Sequence, residues 1–169
     1  MNIWKKDTTR LDITQEVGKF YYFQENYKKA YVYYSKFIKA TQDYNLDIYT
    51  QEYLKIGLVY EKMGFINEAE SFYKVYDEYV EKDPSIYKSA SMAVKYIHEN
   101  KLDEAIDQYE IFATQENFQY WMVLFMEKDP IMKKLSKHPK YDKTIKKIKD
   151  KFWEDHNELK ATLKENNLL

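Results

Sequence analysis

The chain has 169 residues, enough for a real hydrophobic core, with 33% charged and 18% aromatic residues but only three glycines and three prolines. That is too aromatic for a disordered chain and too poor in turn formers for a β-rich one, so an all-α fold is expected. With no cysteine, disulfides, thiolate metal sites and cysteine nucleophiles are excluded.

The start, "MNIWKKDTTR", lacks the apolar run of a signal peptide, and no segment is apolar enough to span a membrane. A cytoplasmic protein with no membrane association is the expectation. The net charge of −1 conceals an asymmetry. Residues 130–169 hold eleven lysines against six acids, whereas the residues before them are net acidic.

The first periodic stretch is "VGKFYYFQENYKKAYVYY", residues 17–34. It aligns without a gap with "GLVYEKMGFINEAESFY", residues 57–73, and with "MAVKYIHENKLDEAIDQY", residues 92–109. Gly18, Tyr21, Ala30 and Tyr34 match Gly57, Tyr60, Ala69 and Tyr73, and then Ala93, Tyr96, Ala105 and Tyr109. Fixed internal spacing repeated three times is the signature of a repeat architecture. Each unit reads as two antiparallel helices. The small residue on the first helix admits the second, and the tyrosine three residues on lies on the same face. Gly64 suits the turn. Asn67 followed by Glu70 reads as a helix N-cap with its capping-box partner.

These residues resemble the tetratricopeptide repeat. The resemblance covers residues 11–116 as three hairpins, at about 11–44, 50–83 and 86–116. It implies a right-handed α-solenoid that docks a partner peptide or protein on the concave face of its first helices. The corresponding positions are Gln15, Lys19 and Tyr22, then Gln51, Leu54 and Leu58, then Tyr87, Ala90 and Val94. The carboxylate-gripping set of the family's chaperone-adaptor branch is not reproduced, because its places hold Gln15, Lys19, Lys55, Tyr87 and Ser91. The chain departs from the pattern in its longer repeats and in Phe37, Tyr76 and Phe112, which stand where small residues are usual. The first repeat also carries surplus tyrosines (Tyr22, Tyr31 and Tyr33), which suggest a homo-oligomer through that end.

Beyond residue 116, "NFQYWMVLFMEKDP" predicts a short apolar helix ending at Pro130. The run from Asp129 to Tyr141 resembles the closing element of tetratricopeptide arrays in bacterial signalling and regulatory proteins. A long amphipathic helix then carries Tyr141, Ile145, Ile148, Phe152, Leu159 and Leu163, with His156 on the same stripe. Residues 117–169 are therefore expected to cap the array within the same domain.

The basic surface of this segment includes Lys133, Lys134, Lys137, Lys140, Lys143 and Lys147. Without arginine for base readout, nucleic acid is the less favoured partner. A solvated face, or attraction to the acidic repeats, is the plainer explanation. His98, His138 and His156 are scattered, and no phosphate loop or metal motif is present. An enzyme is not expected, nor is a cofactor or metal. The sequence reading is a protein–protein interaction scaffold. The alternatives are a regulatory module of a transcription or signalling system and nucleic-acid binding through the lysine-rich helix.

Overall fold

Residues 10–168 are described by a computed structural model, and among them every regular element is helical. The scarcity of helix breakers accounts for this. The order is α1 (Leu11–Phe23), α2 (Tyr27–Asp43), α3 (Tyr53–Lys62), α4 (Ile66–Lys82), α5 (Lys88–His98) and α6 (Leu102–Phe112), then α7 (Tyr120–Phe125), α8 (Met132–Leu135) and α9 (Tyr141–Glu165). The first six pack as three hairpins, α1 with α2, α3 with α4 and α5 with α6. The chain divides after Lys82 into two compact units, the first holding two hairpins and the second the third hairpin with α7–α9.

One turn is built three times. In α1 the amide of Asn26 donates to Tyr21 O at 2.9 Å, and that of Glu25 to Tyr22 O at 2.8 Å. The same pair of bonds runs from Phe65 and Gly64 to Tyr60 and Glu61, and from Lys101 and Asn100 to Tyr96 and Ile97. This is the Schellman arrangement, whose hinge residue must be left-handed. Glu25, Gly64 and Asn100 have φ of 55°, 88° and 61°. Each repeat tyrosine thus supplies the carbonyl that closes its turn. The residue receiving the turn also meets the tyrosine ring twice. Phe65 lies 6.0 Å from Tyr60, and the Lys101 ammonium sits 5.7 Å over Tyr96. Asn67, expected as the N-cap, lies within α4, which already begins at Ile66. In the first hairpin the cap is Asn26, whose side chain accepts from Lys29 N.

Within each hairpin of the first unit, a glycine lies under a tyrosine sixteen residues later. A Cβ on Gly18 would meet the Tyr34 ring at 2.7 Å, and one on Gly57 would meet the Tyr73 ring at 2.4 Å. The sequence argument that these glycines admit the second helix is therefore met in atomic terms. Ala93 and Tyr109, at the same separation in the second unit, are both buried.

In the first unit, Ala30, Tyr34, Phe37, Ile56, Val59 and Ala69 form the centre of the core. Phe37, Tyr76 and Phe112, the bulky residues where small ones are usual, are all buried. The link between the first two hairpins passes through Tyr49, which holds φ of 56° and lies 6.0 Å from the Phe37 ring. A bulky residue in that region is held there by its surroundings.

In the second unit, α9 packs along α6 and α7, and α8 lies against α5 and α6. The Tyr109 hydroxyl donates to Met132 Sδ at 3.3 Å. The apolar stripe of α9 is used only in part. Tyr141, Thr144, Ile145 and Ile148 are buried, whereas Leu159 is 59% exposed and Leu163 half-exposed. The long helix therefore covers the third hairpin with its first half only. The expectation that the whole stripe is a cap is corrected.

Two glycine substitutions separate the two roles. Gly57→Ala is expected to cost about 1–3 kcal/mol, because the Tyr73 ring must be displaced. Gly64→Ala meets no atom within 4 Å and is expected to cost about 1–2 kcal/mol through its backbone angle alone. Urea unfolding of both variants checks this. A Gly57→Ala protein as stable as wild type would show that the ring contact does not fix the hairpin.

Candidate functional site

Helix α1 brings Gln15 and Lys19 to one face, one turn apart. Beside them, the short turn Thr50–Glu52 presents Glu52 at the start of α3, and Lys55 follows one turn later. Glu52 is buried, and both lysines approach it. Lys19 Nζ is 3.4 Å from Oε1 and Lys55 Nζ is 3.5 Å from Oε2. These distances exceed the 2.7–2.9 Å of a good charge-assisted hydrogen bond. Lys19 makes its closer contact, 2.7 Å, with exposed Glu16.

Glu52 Oε2 accepts no hydrogen bond, and neither amide atom of Gln15 has a partner, although Gln15 is fully buried. Buried polar groups are nearly always satisfied, so the Gln15 amide and Glu52 Oε2 each carry a desolvation cost. Three residues beyond Lys55, Leu58 is half-buried against the core.

The positions expected on a concave docking face divide accordingly. Gln51 is exposed, and Lys19 and Leu58 are partly accessible. Gln15, Tyr22 and Leu54 are buried and present no surface. In the second unit, Tyr87 lies 6.2 Å from Phe112 and 5.4 Å from Trp121, and its hydroxyl accepts from Gln119 N. Ala90 is buried and Val94 half-buried. The unit's own C-terminal segments thus engage Tyr87 and lie against α5, so this part of the expected groove is corrected to an internal contact. Sequence reasoning missed Glu52. Its only signals were its place one turn before Lys55 and its acidic character beside a lysine-bearing helix.

The surplus tyrosines of the first hairpin are packed inward. Tyr31 stacks on Phe65 at 5.0 Å and meets Tyr60 edge-on, Tyr33 stacks on Tyr21 at 5.6 Å, and Tyr22 meets Tyr27. Burial pushes the Tyr60 hydroxyl up to about 12. Tyr73 is raised further above its ordinary value, first by burial and then by its hydrogen bond to Glu61. Tyr31 thus joins the two hairpins of the first unit, whereas Tyr22 and Tyr33 pack within the first, and Tyr31 and Tyr33 stay partly accessible.

The lysine-rich segment is partly neutralised within the second unit. Lys147 pairs with Glu110, Lys149 with Glu127, and Lys151 with Asp155 at 2.7 Å. Lys133, Lys134, Lys137, Lys140 and Lys143 are exposed. Glu110 also accepts from Thr144 Oγ1 at 2.7 Å. The bond from Lys147, followed by that from Thr144, holds the Glu110 carboxyl below its ordinary value.

His138 lies 2.9 Å from Asp103 and accepts from Lys140 N through Nδ1. His156 stacks on Phe152 at 6.1 Å. Among the described residues, no group of three or more metal-ligating side chains occurs, and no helix is long and apolar enough to cross a membrane.

No family model matches this chain, and no curated protein or solved structure is similar to it.

The Glu110 contacts give α9 a pH-dependent hold on α6. Because the folded carboxyl titrates below its ordinary value of 4.5, its stabilisation is present above that pH and is lost as pH falls through the lower, folded value. Glu110→Gln is expected to lower the thermal midpoint at neutral pH. The gap from wild type should then close as the solution is acidified below the carboxylate range. A gap that stays constant with pH would show that the charge contributes nothing.

Proposed function

We propose that this chain is a protein-interaction module, a right-handed α-solenoid of tetratricopeptide-like hairpins. It recognises a partner segment at the face of the first unit formed by Lys19, Glu52, Lys55 and Leu58. The observation that carries this reading is the pair of buried, incompletely satisfied side chains, Gln15 and Glu52, beside the partly accessible Lys19 and Lys55. A partner carboxylate at this face would add a short lysine contact beside the long ones to Glu52. An apolar side chain next to it would complete the cover of Leu58. This chemistry describes a protein segment with an acidic group flanking an apolar anchor, a peptide-recognition mode that helical faces support. The paired lysines of α9 make nucleic acid the weaker reading.

Affinity purification on the full chain, followed by titration of the captured protein, provides the test. Lys19→Ala with Lys55→Ala, or Leu58→Asp alone, is expected to abolish capture while helicity is kept. Capture unaffected by both variants would remove this face as the docking surface.

Gln15→Leu tests the cost of the buried amide. It deletes an unsatisfied group that presents no surface and is expected to raise stability by about 1–3 kcal/mol. A destabilised Gln15→Leu protein would show that the amide is needed by the fold instead.

A further inference from the structure

The distal half of α9 continues, along one helix face, the stripe that its first half buries. Phe152, His156, Leu159 and Leu163 follow at spacings of four, three and four residues, the rhythm of a coiled-coil seam. Phe152 is half-buried, 5.9 Å from Phe118 and 5.4 Å from Tyr120. His156 and Leu159 are exposed. At the root of the overhang, Tyr120 and Trp153 lie 6.0 Å apart and are 50% and 46% exposed. A helical overhang of about a dozen residues is marginal in water on its own. A contiguous aromatic and aliphatic patch of this kind marks a contact surface.

We propose that this face binds a second copy of the chain, the two α9 helices running parallel and in register. The flanks of the seam carry opposite charge and choose the occupant. Asp155 and Glu158 border one side, and Lys160 and Lys164 the other. In a parallel pair each acidic flank meets the basic flank of its neighbour, and Asp155 stands opposite Lys160 of the second copy, five residues on. Antiparallel helices would set like flanks together. Asp155 already accepts from Lys151 and from Asn117 N, which fix it at the edge of the seam. Tyr120 and Trp153 then lie in the fork where the two bodies come together and extend a seam too short to hold by itself. This interface is independent of the Lys19–Glu52 face, so either reading can fail alone.

The chain has no cysteine, so single-cysteine variants of the full protein report proximity directly. Leu163→Cys is expected to give a covalent dimer on mild oxidation, because a seam residue faces its own copy in a parallel pair. Sedimentation equilibrium is expected to show a concentration-dependent dimer that Leu159→Lys converts to monomer. Leu159 is mostly exposed, so this variant should keep the helicity and the low-concentration unfolding midpoint of wild type. A wild-type monomer at every concentration would overturn the proposal. So would a dimer whose Leu163→Cys chains do not cross-link, because helices parallel and in register bring the two Leu163 positions together.

Discussion

The hairpins of the first unit depend on the contact between a tyrosine ring and a helix that carries no side chain beneath it. Gly18 under Tyr34 and Gly57 under Tyr73 leave no room for even one methyl group. That constraint sets how closely the two helices approach, and therefore where the repeat tyrosines Tyr21 and Tyr60 place the carbonyls that close the turns. Helix spacing and turn geometry are thus two ends of one arrangement, fixed by residues a few positions apart. Cores are close-packed, so such an arrangement resists gradual deformation.

The aromatic richness of the chain follows from the same arrangement. A ring lying on bare backbone fills space that a smaller residue would leave empty. Phe37, Tyr76 and Phe112, bulky where the resembled pattern is small, are buried without disturbing the hairpins. In the first unit Tyr31 bridges one hairpin to the next, reaching Tyr60 and Phe65 of the second. That surplus ring is mortar between repeats. Tyr120 and Trp153 are among the rings left exposed.

Helix pairs were legible in the sequence because a small residue and a tyrosine at fixed spacing have few other physical uses. The turns were half legible. Gly64 announced itself and Asn100 is of a type that visits this region, but Glu25 takes the same left-handed conformation with a side chain that gives no hint of it. Residue type alone does not report backbone strain that neighbours impose. The candidate face was harder to read. The tetratricopeptide resemblance assigned Gln15 and Leu54 to a surface, yet both are buried, because a face along one helix becomes an interior when the next segment lies over it. Glu52 was invisible for the opposite reason: it belongs to a short turn that has no periodicity. The amphipathic stripe of α9 was correctly seen, but a stripe does not state how much of itself the same chain will cover.

Tyr49 lies in the joint between the first two hairpins, in a left-handed conformation that tyrosine adopts only under compulsion. Its ring rests near Phe37, at the far end of the helix pair that precedes it. A glycine there would have made a free swivel. With tyrosine the joint behaves as a latch, and turning it means first withdrawing an aromatic ring from its neighbour. The two hairpins should therefore carry load as a single block, and a tug on either one would be felt at the other before the connection between them gave way.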